Sequence, residues 1–143
     1  MREFTYNRVD LAIEQLEVAL DLFLRKHSYV AALTLAGAAE EILGKALSLQ
    51  GKRTILYQWH INNAFIDDVR NEQMSLSTYA SQINNGRNSV KHMRSLDDAT
   101  ITLDLLEAAM WMIYRACANF ERLGFPPTKR IRSFDRWFMK YVV

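Results

Sequence analysis

Ala31-Ala32-Leu33-Thr34-Leu35-Ala36-Gly37-Ala38-Ala39-Glu40-Glu41-Ile42-Leu43-Gly44 is the stretch that decides the fold. Its many alanines and two glycines leave little side chain between this backbone and its neighbours. A glycine inside a helix costs about 1 kcal/mol relative to alanine, so two of them point to close packing against other elements. Ser28 is placed to cap the start of such a helix and Gly51 to stop it, which predicts one helix over 28–49. Glu40 and Glu41 interrupt the apolar run. Adjacent positions diverge on a helix, so one carboxylate can face solvent although both lie among residues suited to burial.

Working outward, helical periodicity recurs on both sides. Val9, Ile13, Leu16, Leu20 and Phe23 step by four and three, the stripe of an amphipathic helix over about 6–26 that breaks at His27-Ser28. A third helix over roughly 54–70 carries Ile55, Leu56, Trp59, Phe65, Ile66 and Val69, and polar residues over 71–77 predict a loop. A fourth helical stretch begins near Thr78 and is punctuated by Asn84-Asn85-Gly86, residue types that favour turns. Ser95-Leu96-Asp97-Asp98 reads as the start of a long helix over 98–123, with Leu103, Leu106, Met110, Ile113, Cys117 and Phe120 as its seam. Trp111, Met112 and Tyr114 interleave that seam. Gly124 and Pro126-Pro127 end it, and Thr128 caps a basic last helix at about 128–142. No strand pattern or internal repeat is visible. The expected fold is all-α, an up-and-down bundle of five to six helices in a single domain over 1–143.

Composition narrows the function classes. A net charge of +2 is too small to mark a nucleic-acid binder, but residues 129–143 hold five basic side chains against Asp135 alone. The rest of the chain carries 13 basic and 15 acidic residues, so the positive excess sits entirely in the tail. Cys117 is the single cysteine, which excludes an intrachain disulfide and suits a reducing compartment. Early charges at Arg2, Glu3, Arg8 and Asp10 do not suit a signal peptide, and no apolar run approaches the ~18 residues of a membrane span. The expectation is a soluble, cytoplasmic protein with no membrane partner.

Few residues suggest chemistry. There is no phosphate-binding glycine loop after a strand, and His27, His60 and His92 have no helical partner at metal-ligand spacing, so neither a metal nor a cofactor is expected. Arg87-Asn88-Ser89-Val90-Lys91-His92, just after the Asn84-Asn85-Gly86 punctuation, is different. On a helix Arg87 shares a face with Lys91 and Asn88 with His92, whereas Arg87 and His92 are about 140° apart. A non-helical Arg87 at the entrance could instead turn back toward the His92 face. Together the residue types suit transfer at a phosphodiester. An imidazole takes a proton from a ribose 2′-hydroxyl, a guanidinium holds the phosphate, and the Asn88 amide contacts a phosphate oxygen or orients the ring.

Those residues match the R-x(4–6)-H motif of HEPN domains, which this chain resembles over about 7–123 in helix count and order. The helix containing Ala36-Gly37-Ala38-Ala39-Glu40-Glu41-Ile42-Leu43-Gly44 is also similar to the early core helix of that superfamily. The resemblance implies a homodimer in which motif residues of both subunits meet in a cleft. It further implies a metal-independent endoribonuclease of toxin or phage-defence type, with Arg87, His92 and Asn88 at the catalytic site and an antitoxin or operon-encoded protein as partner. In forms paired with a nucleotidyltransferase antitoxin a Tyr follows two residues after the His; Arg94 stands there in this chain. Other family members are non-catalytic and act through a partner protein or a nucleotide, the alternative reading.

Further contacts to RNA are expected from Lys91 and Arg94 beside the motif, and from the C-terminal stripe Lys129, Arg132, Arg136 and Lys140. Trp137, Phe138 and Tyr141 lie beside that stripe, and basic residues interleaved with aromatics suit phosphate contact with base stacking. The competing reading is a helix that docks its aromatics on the bundle and leaves its cations in solvent. Glu40 and Glu41 are candidates to fix Arg87 or orient His92, against the plainer roles of a solvated pair or a structural salt bridge.

Overall fold

A computed structural model describes residues 1–70 and 74–143, with the side chains of 65–70 set aside. Seven α-helices account for most of it: α1 (Arg8–Asp21), α2 (Tyr29–Leu49), α3 (Ile55–Arg70), α4 (Leu76–Ile83), α5 (Asn85–Lys91), α6 (Leu105–Arg122) and α7 (Lys129–Tyr141). No strand occurs among the described residues, and the all-α bundle expected from periodicity is what forms. No helix among them is long and apolar enough to cross a membrane. The expected loop over 71–77 lies partly outside the described residues, as do the side chains of Phe65, Ile66 and Val69; its last two residues are helical, because Ser75 accepts from the Thr78 amide and starts α4 at Leu76.

Local chemistry sets most boundaries. The Asn7 side chain accepts hydrogen bonds from the amides of Val9 and Asp10 and so starts α1. α1 continues as a π-helical turn over Leu22–Lys26, and His27 closes it in the left-handed conformation at φ 54°. Gly51 and Gly124, at φ 68° and 96°, take the left-handed positions after α2 and α6 that a side chain would resist. Thr128 caps α7 by accepting from the Ile131 amide.

Two boundaries differ from the sequence expectation. The long helix begins at Leu105, not 98; Ser95 opens only a 3-10 turn, Leu96–Asp98. The intervening Thr100-Ile101-Thr102 is β-branched throughout and resists helix, whereas Asp104 accepts from the Glu107 amide and supplies the effective cap. Leu103 therefore precedes the helix and Leu106 is exposed, so the apolar seam begins in effect at Met110. The second difference is the count. Asn84 alone separates α4 from α5, while Gly86, expected as part of the break, is helical.

α2 is the central element, packed against α1 on one side and α6 on the other. Ala32, Ala36, Ala39 and Leu43 of α2 are fully buried in one core with Leu16 and Leu20 of α1 and Ile113 and Ala116 of α6, and Leu47 is buried near the end of α2. A buried leucine of this kind contributes about 1.5–3 kcal/mol. α7 closes one end of the core through Ile131, Phe134 and Phe138. Phe134 and Trp137 both meet the Phe23 ring edge-on, at 5.7 and 4.8 Å between centroids.

Candidate functional site

The Arg87–His92 segment forms α5 and the residue that ends it. α5 is seated by glycine contacts at two places. A Cβ on Gly86 would stand 3.2 Å from Cβ of Ala108 on α6, so the glycine lets the two backbones approach. A Cβ on Gly37 would stand 2.5 Å from Cδ of Arg87, so Gly37 leaves a trough in α2 across which the arginine side chain lies. One of the two glycines that the sequence marks for close packing therefore accommodates a motif side chain.

Arg87 is the third residue of α5 and fully helical; it does not turn back at the helix entrance. Its side chain is only 14% exposed, and its Nη1 donates to Oε2 of Glu41 at 3.5 Å, a long contact to an exposed carboxylate. Nε of Arg87 is buried with no partner. His92 leaves the helix in an extended conformation, φ −128° and ψ 128°, its amide still bonded to the carbonyl of Asn88 at 3.2 Å. The exposed imidazole lines a polar hollow with Asn88, Ser89, Lys91, Arg94 and Asp98. Arg87 lines a different cavity, on the other side of α5. Within one chain the structure thus groups His92 with Asn88, Lys91 and Arg94, and sets Arg87 apart.

Glu40 and Glu41 divide as a helix requires. Glu41 is exposed and pairs with Arg87; Glu40 is buried and accepts a 2.8 Å bond from Nη2 of Arg115. Arg115 of α6, with a side chain only 2% exposed, also donates from Nη1 to Oδ1 of Asn84 at 3.0 Å. The buried Glu40–Arg115 pair, with the half-buried Asn84, joins α2, α6 and the α4–α5 corner. Asn119, one turn beyond Arg115 and fully buried, accepts from the Ile55 amide at 3.0 Å and so fixes the start of α3. Arg115 and Asn119 escaped the sequence reading, which placed Asn84 at a helix break but not its bond to Arg115. The available signal was a glutamate in an alanine run, since a buried anion requires a buried cation and α6 offers Arg115 in mid-helix.

The C-terminal stripe behaves as a docked helix. Phe138 is buried and Trp137 is packed against Phe23, so neither is a free stacking surface, whereas Tyr141 is 62% exposed with Lys140 Nζ 4.8 Å from its ring centroid. Lys129, Arg132, Arg136 and Lys140 remain exposed, with Arg132 bonded to the Pro127 carbonyl and Arg136 to the Ser133 hydroxyl. Between α6 and α7, burial pushes the Cys117 thiol well above its ordinary range, and Asp135, Glu121 and Glu17 push it the same way. Burial raises the carboxyls of Glu121 and Asp135 as well, with Asp135 also raising Glu121.

The cavity that Arg87 lines has a volume of about 750 Å³ and is bounded by α3, α4, α5 and α6, with Leu33 of α2 and Phe138 of α7 also in its lining. Trp59, Trp111 and Tyr114 form an aromatic wall in which Trp59 and Trp111 meet edge-on at 5.9 Å. Among the described residues no group of three or more His, Cys, Asp and Glu is arranged to hold a metal ion. No family model, curated protein or solved structure matches this chain, so the functional reading rests on its own residues and geometry.

Proposed function

We propose that this chain is a HEPN-like, metal-independent endoribonuclease that acts as a homodimer, with His92 as its proton-transfer group. The observation that carries the reading is the polar hollow at the end of α5, where an exposed imidazole stands with an amide and two cations, Asn88, Lys91 and Arg94. In the reaction His92 accepts the ribose 2′-hydroxyl proton as the 2′-oxygen bonds to phosphorus. The bond from phosphorus to the 5′-oxygen breaks, and that oxygen leaves with a proton returned by the imidazolium. The products are a 2′,3′-cyclic phosphate and a 5′-hydroxyl. Lys91 and Arg94 hold the phosphate, and because Arg87 lines the opposite cavity, its guanidinium serves this hollow across the dimer. A toxin or defence role, with an antitoxin as partner and cytoplasmic RNA as target, belongs to the same reading. The exposed cations of α7 would add sequence-independent RNA contacts.

A second reading has its own support. Arg87 is held by Glu41 and separated from His92, as suits a non-catalytic HEPN-like module working through a partner protein or nucleotide. RNA incubated with the purified chain in excess EDTA separates the two. Cleavage with 2′,3′-cyclic phosphate ends, lost in His92→Ala at unchanged melting temperature, supports the enzyme. Intact RNA at all enzyme concentrations, or undiminished cleavage by His92→Ala, refutes it.

A further inference from the structure

The cavity of about 750 Å³ on the Arg87 side of α5 falls within the roughly 300–1,000 Å³ of sites for small molecules. Its α6 wall is set by spacing. Asp104, Glu107, Trp111 and Tyr114 step by three, four and three, which puts two carboxylates, an indole and a phenol along one face, and all four line the cavity. Asp104 and Glu107 are exposed at its mouth beside Trp111, which is 37% exposed. Leu33, Met112 and Phe138 are buried and give the interior its apolar surface.

Neither carboxylate has a cation of its own. Asp104 spends Oδ1 on the Glu107 amide as the cap of α6, which leaves Oδ2 open. Glu107 stands where a capping box would bond back to the Asp104 amide. Among the described residues its carboxylate makes neither that bond nor an ion pair. Arg87 and Arg115 line the cavity too, but bring no open positive charge to it. Each is faced by a glutamate, at 3.5 and 2.8 Å, and their side chains are only 14% and 2% exposed, with Nε shut away.

These features select a ligand by sign and shape. The two acids repel a phosphate or carboxylate and attract a cation, which an indole face also favours. The apolar interior would leave a second charge unpaired, so the charge belongs at one end of an otherwise apolar body. We propose that this cavity binds a small organic monoamine, its ammonium toward Asp104 and Glu107 beside Trp111 and its apolar body inside against Met112 and Phe138. The inference does not rest on RNA cleavage.

Isothermal titration of the full chain tests it, with tryptamine as the probe. Indole, indole-3-propionate and spermidine serve as comparisons: the ring without charge, the ring with the opposite charge, and charge without a ring. Tryptamine is expected to bind, with indole and spermidine each at least about tenfold weaker and indole-3-propionate weaker still. Glu107→Gln, on an exposed side chain, is expected to weaken tryptamine about tenfold and leave indole unchanged, at wild-type melting temperature. Trp111→Ala is expected to weaken tryptamine and indole alike; should it not fold, Glu107→Gln decides alone. No heat with tryptamine up to about 10 mM, a comparison that binds as tightly as tryptamine, or an unaffected Glu107→Gln variant would each overturn the proposal.

Discussion

Two neighbouring carboxylates offer a direct test of how this bundle is held together. Glu40 and Glu41 are identical in chemistry and adjacent on α2, yet Glu40 is buried against Arg115 at 2.8 Å whereas Glu41 is exposed against Arg87 at 3.5 Å. Neutralising Glu40 as Glu40→Gln leaves an arginine side chain that is 98% enclosed with its charge uncompensated, faced only by the neutral amide oxygens of Asn84 and the new glutamine. Breaking a buried pair in this way costs about 3–5 kcal/mol, a large part of the 5–15 kcal/mol that holds a typical domain folded. Glu41→Gln removes a long contact on a side chain 68% exposed to solvent, and surface pairs of that kind are worth about 0–0.5 kcal/mol. For a chain of 143 residues the first loss corresponds to a fall in Tm of about 10–15 °C, the second to one of about 2 °C or less.

Urea and thermal unfolding, followed by circular dichroism, measure both variants on one scale. A third variant isolates the charge. Glu40→Leu combined with Arg115→Met removes both ions and keeps the volume, and is expected to recover most of the loss, to within about 2 kcal/mol of the parent. Equal losses for Glu40→Gln and Glu41→Gln, or a loss below about 1 kcal/mol for Glu40→Gln, would refute the account of a buried ionic joint.

The trough at Gly37 gives another test. Gly37→Ala gains about 1 kcal/mol of helix propensity and incurs about 1–3 kcal/mol of overpacking, because its Cβ would meet Cδ of Arg87 at 2.5 Å. Stability should change by less than about 2 kcal/mol, while the Arg87 Nε–H signal in NMR shifts and exchanges faster with water. The α6–α7 contact gives a pH test. The raised carboxyls of Glu121 and Asp135 favour their protonated forms in the fold, so their contribution is full at acid pH and is lost as pH rises through the raised values. Asp135→Asn should therefore flatten the fall in stability on going from acid to neutral pH, measured by urea unfolding across that range.

Periodicity revealed the helices of this chain because burial here follows one face per helix. Ala32, Ala36, Ala39 and Leu43 on α2, or Ile113, Cys117 and Phe120 on α6, recur at spacings that a sequence displays directly. The boundary at 98 failed for a local reason. A serine before two aspartates is a good cap, but the β-branched run that follows cannot propagate the helix, and Asp104 starts it six residues later. Arg115 was illegible because its burial depends on Glu40 and Asn84, 75 and 31 residues away. Pairings at that separation leave no periodic trace. The motif itself was legible as residue types, but not that the helix ends at Lys91, so that Arg87 sits within α5 while His92 leaves it in an extended conformation. What the sequence did not convey is that α5 stays helical through Arg87, which prevents the two side chains from converging within one chain.

The manner in which α5 is attached bears on what it does. None of its residues is fully buried, in contrast to α2 and α6, which bury nine each. Its attachment comes from Arg87 across Gly37, from Gly86 against Ala108 and, at its preceding residue, from Asn84 to Arg115. Hydrogen bonds of this kind contribute about 0.5–1.5 kcal/mol each, and charged ones up to about 3, against 1.5–3 kcal/mol for every buried leucine of the core. The segment that carries Arg87 and His92 is therefore seated on the α1–α2–α6 core by a few close carbon contacts, by the half-buried Val90 and by two polar contacts, without a fully buried side chain of its own. Such a segment opens at lower free energy than the helices beneath it. A second copy or an RNA phosphate that supplies comparable polar contacts can compete for Arg87 without disturbing α1, α2 or α6. Glu41 is the residue through which that competition would act, because it is exposed, weakly engaged and the sole carboxylate paired with Arg87 among the described residues.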